Sequence, residues 1–507
     1  MVKVRILRSS PSYPGTSWWA HYEVPYFSHM DIIDVLVYIQ TNIDDSLAFQ
    51  YSCKEGKCGL CGIRVNGEPV LACRRIVKPG EELNIEPLRV GPVLQDLLID
   101  WNFIDHYRCA IAQSLESSGR LKTVSSRYDI FLALSQCARC GVCFEVCPLF
   151  QSETALGPHA VHEACYSALC DEVCLTQREA LFSCFICGAC ASICPQGVKM
   201  PELVIEARAL VSQRHLQPVG ITQIVKRVKD RGTLFSRPSV QGTAGWLDGA
   251  ETWIKDRAKV CGTSVGLFIG CQYGLRPYLQ QIPQKLCHLL QCAGIDFTFL
   301  GTDEICCGHP AYLAGARDVF AWCADKLVNE FAKLKVKTVV TLCPGCYRAW
   351  AVEYPKTLPH DFTVLPISAF LLQLYENGRF PPTRYFNSSW VYHDPCELGR
   401  LSRFYEEARK LLATFTKTTG AVLERQMDKS LCCGGGGLVP FSLFGLAKRV
   451  AGLRLKELID TTAAVIVTSC PTCKFMLTTA FETNKDVFEE KRVLDLIELI
   501  YESVEAS

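Results

Sequence analysis

Cysteine, more than any other residue, limits what this chain can fold into. It fills 30 of 507 positions, and most of these recur at short, regular intervals. Cys53, Cys58, Cys61 and Cys73 stand as C-x4-C-x2-C-x11-C. Cys137, Cys140, Cys143 and Cys147 form C-x2-C-x2-C-x3-C ahead of Pro148, and Cys184, Cys187, Cys190 and Cys194 repeat that run ahead of Pro195. Further on, Cys271, Cys306, Cys307, Cys343 and Cys346 return as Cys396, Cys432, Cys433, Cys470 and Cys473. A disulfide scaffold is the first alternative, but that class is small and exported. A chain of 507 residues buries several cores without staples. Reduced, metal-binding cysteines are the better reading.

Composition narrows the function classes further. With 53 basic and 52 acidic residues, the chain offers no net field for nucleic acid. Met1 to Arg8 alternate polar and apolar residues like a strand, not like a secretory leader. No apolar run approaches the ~18 residues that span a bilayer. A cytoplasmic location with no membrane segment in this chain is expected. At one domain per ~150 residues, three or four domains are expected.

The first cysteine set resembles the spacing of a plant-type [2Fe–2S] ferredoxin. Gly56, Gly59 and Gly62 punctuate it, as a loop needs if its amides are to point at sulfur. Val2–Leu7, His21–Val24, Ile63–Val65 and Leu83–Ile85 read as strands, and Ile32–Asn42 as the single helix of a β-grasp domain. The two C-x2-C-x2-C-x3-C-P runs resemble those of bacterial two-cluster ferredoxins, where the fourth cysteine of each run serves the other cluster. That resemblance assigns Cys137, Cys140, Cys143 and Cys194 to one [4Fe–4S] cubane, and Cys184, Cys187, Cys190 and Cys147 to the next.

A plant-type domain followed by a two-cluster domain resembles the iron–sulfur subunit of succinate dehydrogenase and fumarate reductase. PLRVGPVLQDLLID (Pro87–Asp100) and ALGPHAV (Ala155–Val161) match that family too. The second site departs from it, since the family usually holds a three-cysteine [3Fe–4S] cluster there, beside a quinone. The full set here implies [4Fe–4S]. Cys165, Cys170 and Cys174 are read as structural, and Cys109, Cys261, Cys287, Cys292 and Cys323 as small core residues.

The remaining cysteines belong to a tandem duplication, since corresponding residues keep an almost constant offset. Val265–Cys271, Lys337–Cys343, Ser388–Cys396 and Ala463–Cys470 are apolar, β-branched runs that finish on a cysteine, with helical patterns at Arg400–Thr416 and Leu443–Asp460. Strands alternating with helices predict parallel sheets, whose ligands sit at the carboxyl ends of strands. Five thiols exceed the four of a cubane or a tetrahedral zinc. The pattern is similar to the CCG domain of heterodisulfide reductase, and that resemblance implies a non-cubane [4Fe–4S] cluster on five thiolates in each copy. Zinc in one copy is the alternative.

The predicted fold class is α+β and multidomain. Its parts are a β-grasp ferredoxin domain (1–100), a helical two-cluster domain (101–220), a linker (221–263) and two α/β CCG modules (264–385 and 386–507). Nearly the whole chain resembles the iron–sulfur subunit of the thiol:fumarate reductase family. That resemblance implies an anaerobic oxidoreductase that joins coenzyme M and coenzyme B as a disulfide while an FAD-bearing partner reduces fumarate. No G-x-G-x-x-G follows a strand here, so the flavin is expected on the partner. The vicinal cysteines Cys307 and Cys433 are candidate catalytic thiolates, with His309 and His393 as candidate proton carriers. Arg276, Arg348, Arg400 and Lys474 follow ligand cysteines and are candidates to hold acidic substrate tails. The alternative is an electron conduit from a succinate or 2-hydroxy-acid dehydrogenase to a quinone or a membrane partner.

If each of the five ligand sets holds its expected cluster, metal analysis of anaerobically purified, brown protein will give about 18 iron atoms per chain and little zinc. A value near about ten would mean that the duplicated modules are empty or zinc-filled.

Overall fold

The computed structural model describes residues 1–13, 15–102, 127–153, 156–169, 174–235, 242–482 and 491–504. Cys109 and Cys170 lie outside these residues, as does Ala155. The described chain divides into two units. One is Met1–Cys184 with Gly188–Ala207, and the other is Phe185–Cys187 with Arg208–Ser507.

The first unit begins with β1 (Val2–Ser9), whose Val2, Val4 and Ile6 alternate inward while the residues between them face out. β1 pairs antiparallel with β2 (Ser17–Val24) and parallel with the later β5 (Glu82–Pro87). β3 (Gly62–Val65) and β4 (Glu68–Leu71) complete a five-stranded sheet in the order β2-β1-β5-β3-β4. The helix Ile32–Asn42 covers it and buries Ile32, Ile33, Val35, Leu36 and Ile39. A capping box starts this helix: the Asp34 amide donates to Asp31 Oδ1 (2.9 Å) and the Asp31 amide to Asp34 Oδ2 (3.0 Å). A small hairpin, β6 (Val93–Gln95) and β7 (Leu98–Ile99), follows.

Short helices carry the two cubane motifs, and side chains fasten them to the sheet domain. Arg64 on β3 donates to Glu145 of the first motif at 2.6 Å, and Gln196 behind the second donates to the Gly56 carbonyl. The approach is tightest at Gly59. Its φ is +77°, and a Cβ there would lie 2.2 Å from the Ala138 carbonyl oxygen.

In the second unit, each cysteine module is built on a parallel sheet. β8 (Val265–Phe268), β9 (Phe297–Phe299), β10 (Thr338–Thr341) and β11 (Thr363–Pro366) run in the order β11-β10-β8-β9. β12 (Trp390–Tyr392), β13 (Val465–Thr468) and β14 (Arg492–Asp495) form the second sheet. Their apolar faces and the helices Gln281–Cys292, Ile367–Glu376, Glu406–Thr416 and Leu496–Val504 contribute to one continuous core. Among the described residues, no helix is long and apolar enough to cross a membrane.

The structure corrects three expectations. The stretch read as a linker is folded: Val219–Arg231 is a helix, and Trp246 and Ile254 enter the module core. The Trp246 ring meets Phe299 edge-on at 4.9 Å, and Gln284 donates to its carbonyl. A tryptophan in a Gly- and Thr-rich run carries no periodic signal, although it has much apolar area to bury. The helix expected from Arg400 begins only at Glu406, because Arg400 turns inward onto backbone carbonyls. Cys287 and Cys323 are buried, but Cys261 and Cys292 are exposed and are not core residues.

Trp246→Ala should destabilise the second unit by about 3–5 kcal/mol, seen as a lower midpoint in denaturant unfolding followed by far-UV circular dichroism. An unchanged midpoint would show that the segment merely lies on the surface.

Candidate metal centres

In the first unit, the loop before β3 turns three amides onto one sulfur. The N–H groups of Glu55, Lys57 and Cys58 donate to Cys53 Sγ at 3.3, 3.3 and 3.4 Å. Those bonds, that from Glu55 foremost, lower the half-buried Cys53 thiol to about 6. Cys61 and Cys73 face each other at 3.4 Å between sulfurs, and burial pushes Cys61 up to about 12. Thiols pressed together in this way suit a cation that takes their protons' place.

The cubane motifs show a similar convergence. Burial raises the Cys137 and Cys140 thiols, and the sulfur of Cys194, from the other motif, lies near enough to add to both shifts. Desolvation, with Cys140, Cys190, Cys137 and Cys147 as close neighbours, raises the half-buried Cys143 thiol well above its ordinary range. Cys187 belongs to the second unit, where Arg400 Nε donates to its carbonyl at 2.8 Å. Cys165 is buried, and Cys174 caps the helix Leu175–Ser183.

The modules hold their thiols at strand ends and helix starts. Cys271 heads the helix Cys271–Leu275, and Cys343 and Cys470 immediately precede prolines at the first helical position. Amide dipoles at these starts favour thiolate. Cys306 and Cys307 reach the same place, as do Cys432 and Cys433. Sulfur hydrogen bonds from Cys346 and Cys470 hold Cys343 well below the ordinary thiol range. Since Cys470 belongs to the second module, the two ligand sets touch.

Both sets open on one cavity, lined by Cys271, Cys307, Cys346, Cys396, Cys433 and Cys473 among others. Glycines keep space around the sulfurs. A Cβ at Gly270 would fall 3.2 Å from Cys346 Sγ, and one at Gly435 would fall 3.3 Å from Cys433 Sγ. This crowding of thiols, with room left beside them, fits iron–sulfur groups. Among the described residues no cysteine forms a disulfide.

The four basic candidates part company here. Lys474 pairs with Glu498. Arg348 faces Glu353 at 3.4 Å and Glu397 at 3.6 Å. Arg400 donates to the carbonyls of Cys187, Asp428 and Ser430. Arg276 alone of the four lines the cavity. Its Nε donates to Gln272 at 2.8 Å, and its guanidinium stacks 3.4 Å above Phe475 and 5.3 Å from Phe235. Desolvation lowers its pKa, and no carboxylate pairs with it among the described residues.

Of the histidines, His309 lines the cavity and its Nε2 lies 3.2 Å from Glu397 Oε1. His393 is buried beneath Cys433, against Arg454. Sequence reasoning passed over Glu397. Burial pushes its carboxyl up, but His309 and Arg348 outweigh that and hold it below the usual range. Its position directly after Cys396 was the available signal. It also passed over Arg454, and over Tyr273 and Asp495, which join the two modules by a 3.2 Å hydrogen bond. These residues are remote in sequence from the cysteines they support.

Residues 3–106 match the 2Fe-2S iron-sulfur cluster binding domain, 133–198 the 4Fe-4S dicluster domain, and 265–349 and 390–478 the cysteine-rich CCG domain. The chain is 26% identical over 510 residues to a subunit of the fumarate reductase (CoM/CoB) of Methanothermobacter marburgensis, covering 99% of each. It is 25% identical to a subunit of the dihydromethanophenazine:CoB–CoM heterodisulfide reductase of Methanosarcina acetivorans, over 72% of this chain and 93% of that one. Among solved structures, a hypothetical protein from Helicobacter pylori has a TM-score of 0.64 at 10% identity, covering 100% of this chain and 95% of that one. That last likeness is one of fold.

Proposed function

We propose a working cycle for a chain that is an iron–sulfur electron-transfer subunit, related to those of fumarate reductase and heterodisulfide reductase. It oxidises two thiols, coenzyme M and coenzyme B, to their mixed disulfide in the cavity between the modules. Each thiol gives up its proton and one electron, and the S–S bond forms between the two sulfurs. Clusters held by the two four-cysteine sets and by the [2Fe–2S] loop would supply the path for the two electrons to the FAD of a partner subunit. There they combine with two protons and reduce fumarate to succinate.

The observation that carries this reading is the shared cavity. All five cysteines of the first set and all of the second but Cys432 line it, and the sets touch at Cys343 and Cys470, so two substrate sulfurs bound one to each set would lie side by side. Non-cubane [4Fe–4S] clusters bound there would supply an iron site for a thiolate and accept one electron each. The protein's part is to hold and desolvate the thiols. Arg276, unneutralised and braced between aromatic faces, receives the anionic tail of one substrate. His309, steadied by Glu397, faces the cavity where the thiol protons leave. Arg348, Arg400 and Lys474, already paired, steady the ligand loops. On this reading the chain works in a reducing, anaerobic cytoplasm, where its thiols stay reduced.

Two experiments on the complex with its flavoprotein test the reading. Cys433→Ala should abolish fumarate reduction by coenzyme M plus coenzyme B, yet spare reduction by a reduced viologen that feeds the flavin directly. Viologen activity with no thiol activity in the unmutated complex would overturn the thiol reading, and activity with a quinol would put the conduit in its place.

Arg276→Gln should raise the KM for one thiol roughly 10- to 100-fold, the equivalent of about 1.5–3 kcal/mol for a lost charged hydrogen bond, and leave the viologen rate unchanged. An unaltered KM for both thiols would remove Arg276 from the substrate site.

A further inference from the structure

The modules are copies, yet one sulfur of the second has a neighbour that its counterpart lacks. His393 follows β12 and is 1% exposed. Its Nδ1 lies 3.1 Å from Nε of Arg454. Arg454 is completely buried and is held in turn by the Arg425 carbonyl at 2.9 Å and Glu457 Oε2 at 2.8 Å. A guanidinium has donors and no acceptor, so the ring nitrogen it meets must offer a lone pair. The neutral imidazole therefore carries its proton on Nε2.

Nε2 is buried and has no hydrogen-bond partner within bonding geometry, so its proton is left to whatever faces the ring. What faces the ring is sulfur, that of Cys433 foremost. A ring nitrogen and the sulfurs of Cys433 and Cys473 all lie within 4.8 Å of one another. The same arrangement argues against two other roles. Nε2 cannot bind metal while it holds the proton. Nδ1 cannot take up a second proton without breaking the bond from Arg454 and setting two cations together.

Aligned on Cys271 and Cys396, the first module has Phe268 where the second has His393. Phe268 is fully buried, packs against Phe331 and Trp350, and has no hydrogen to donate. The geometry points to His393, positioned by Arg454, as an N–H donor to the Cys433 thiolate that sets the second module's cluster at a higher reduction potential than the first's. A hydrogen bond to a ligand sulfur draws off negative charge and so favours the reduced state. The buried Arg400 guanidinium beside Cys396 and Cys432 acts in the same direction. The two electrons taken from a thiol pair then meet unequal acceptors, and the second module is the lower-energy resting place. This inference rests on the proposal above that both modules hold clusters.

Redox titration of the whole chain, followed by electron paramagnetic resonance, tests it, with the second module's signal identified by its loss in Cys433→Ala. His393→Phe copies the first module, and His393→Gln keeps an N–H donor on a side chain of similar reach. With iron content complete in both, the midpoint of that signal should shift negative in His393→Phe and recover most of the shift in His393→Gln. Arg454→Gln, which frees the ring to change its tautomer, should shift it negative too. A midpoint unmoved in His393→Phe overturns the inference. So does loss of iron in both histidine variants, which would make His393 a ligand. Absence of any module signal in the unmutated, iron-analysed chain would strike the earlier proposal instead.

Discussion

Two sets of five thiols, packed against each other away from bulk water, are the condition on which the second half of this molecule depends. Thiolates buried side by side repel, and burying any one of them uncompensated is unfavourable. The fold answers with what it has: helix starts beneath Cys271, Cys343 and Cys470, and a guanidinium beside Cys396. Cations bound among the sulfurs would supply the remainder. Cluster loading and folding of this unit would then be linked, since the ligand loops have few other reasons to converge.

How much of this could be read beforehand depended on how local each interaction is. The helix Ile32–Asn42 runs as its apolar periodicity says. The parallel sheets follow from β-branched runs ending on cysteine, although the strands themselves are shorter than those runs. Residues that work across long sequence gaps were harder to see. Arg400 satisfies carbonyls around residues 187 and 428–430, so its helix starts late. Trp246 finds its core through Phe299 and Gln284. Glu397 gains its meaning only when His309 and Arg348 arrive from the other module.

The duplication itself has drifted unevenly. The ligands kept their spacing, and the side chains between them diverged: His309 corresponds to Gly435, Phe268 to His393, and Arg348 to Phe475. One copy brings a charged residue and the other the apolar surface that receives it, as where Arg276 of the first module lies on Phe475 of the second. The halves have become complementary, and exchanging them would bring like against like.

The contact at Gly59 carries a consequence for how such chains arise. With only 2.2 Å between a would-be Cβ and the Ala138 carbonyl, the two ligand loops fit because each was shaped against the other. Arg64 with Glu145, and Gln196 with the Gly56 carbonyl, repeat that tailoring on either side. An unrelated [2Fe–2S] domain spliced in at this point would need glycine, a positive φ and the same reach, all at one place. The first two domains should therefore travel between genomes as a single heritable cassette.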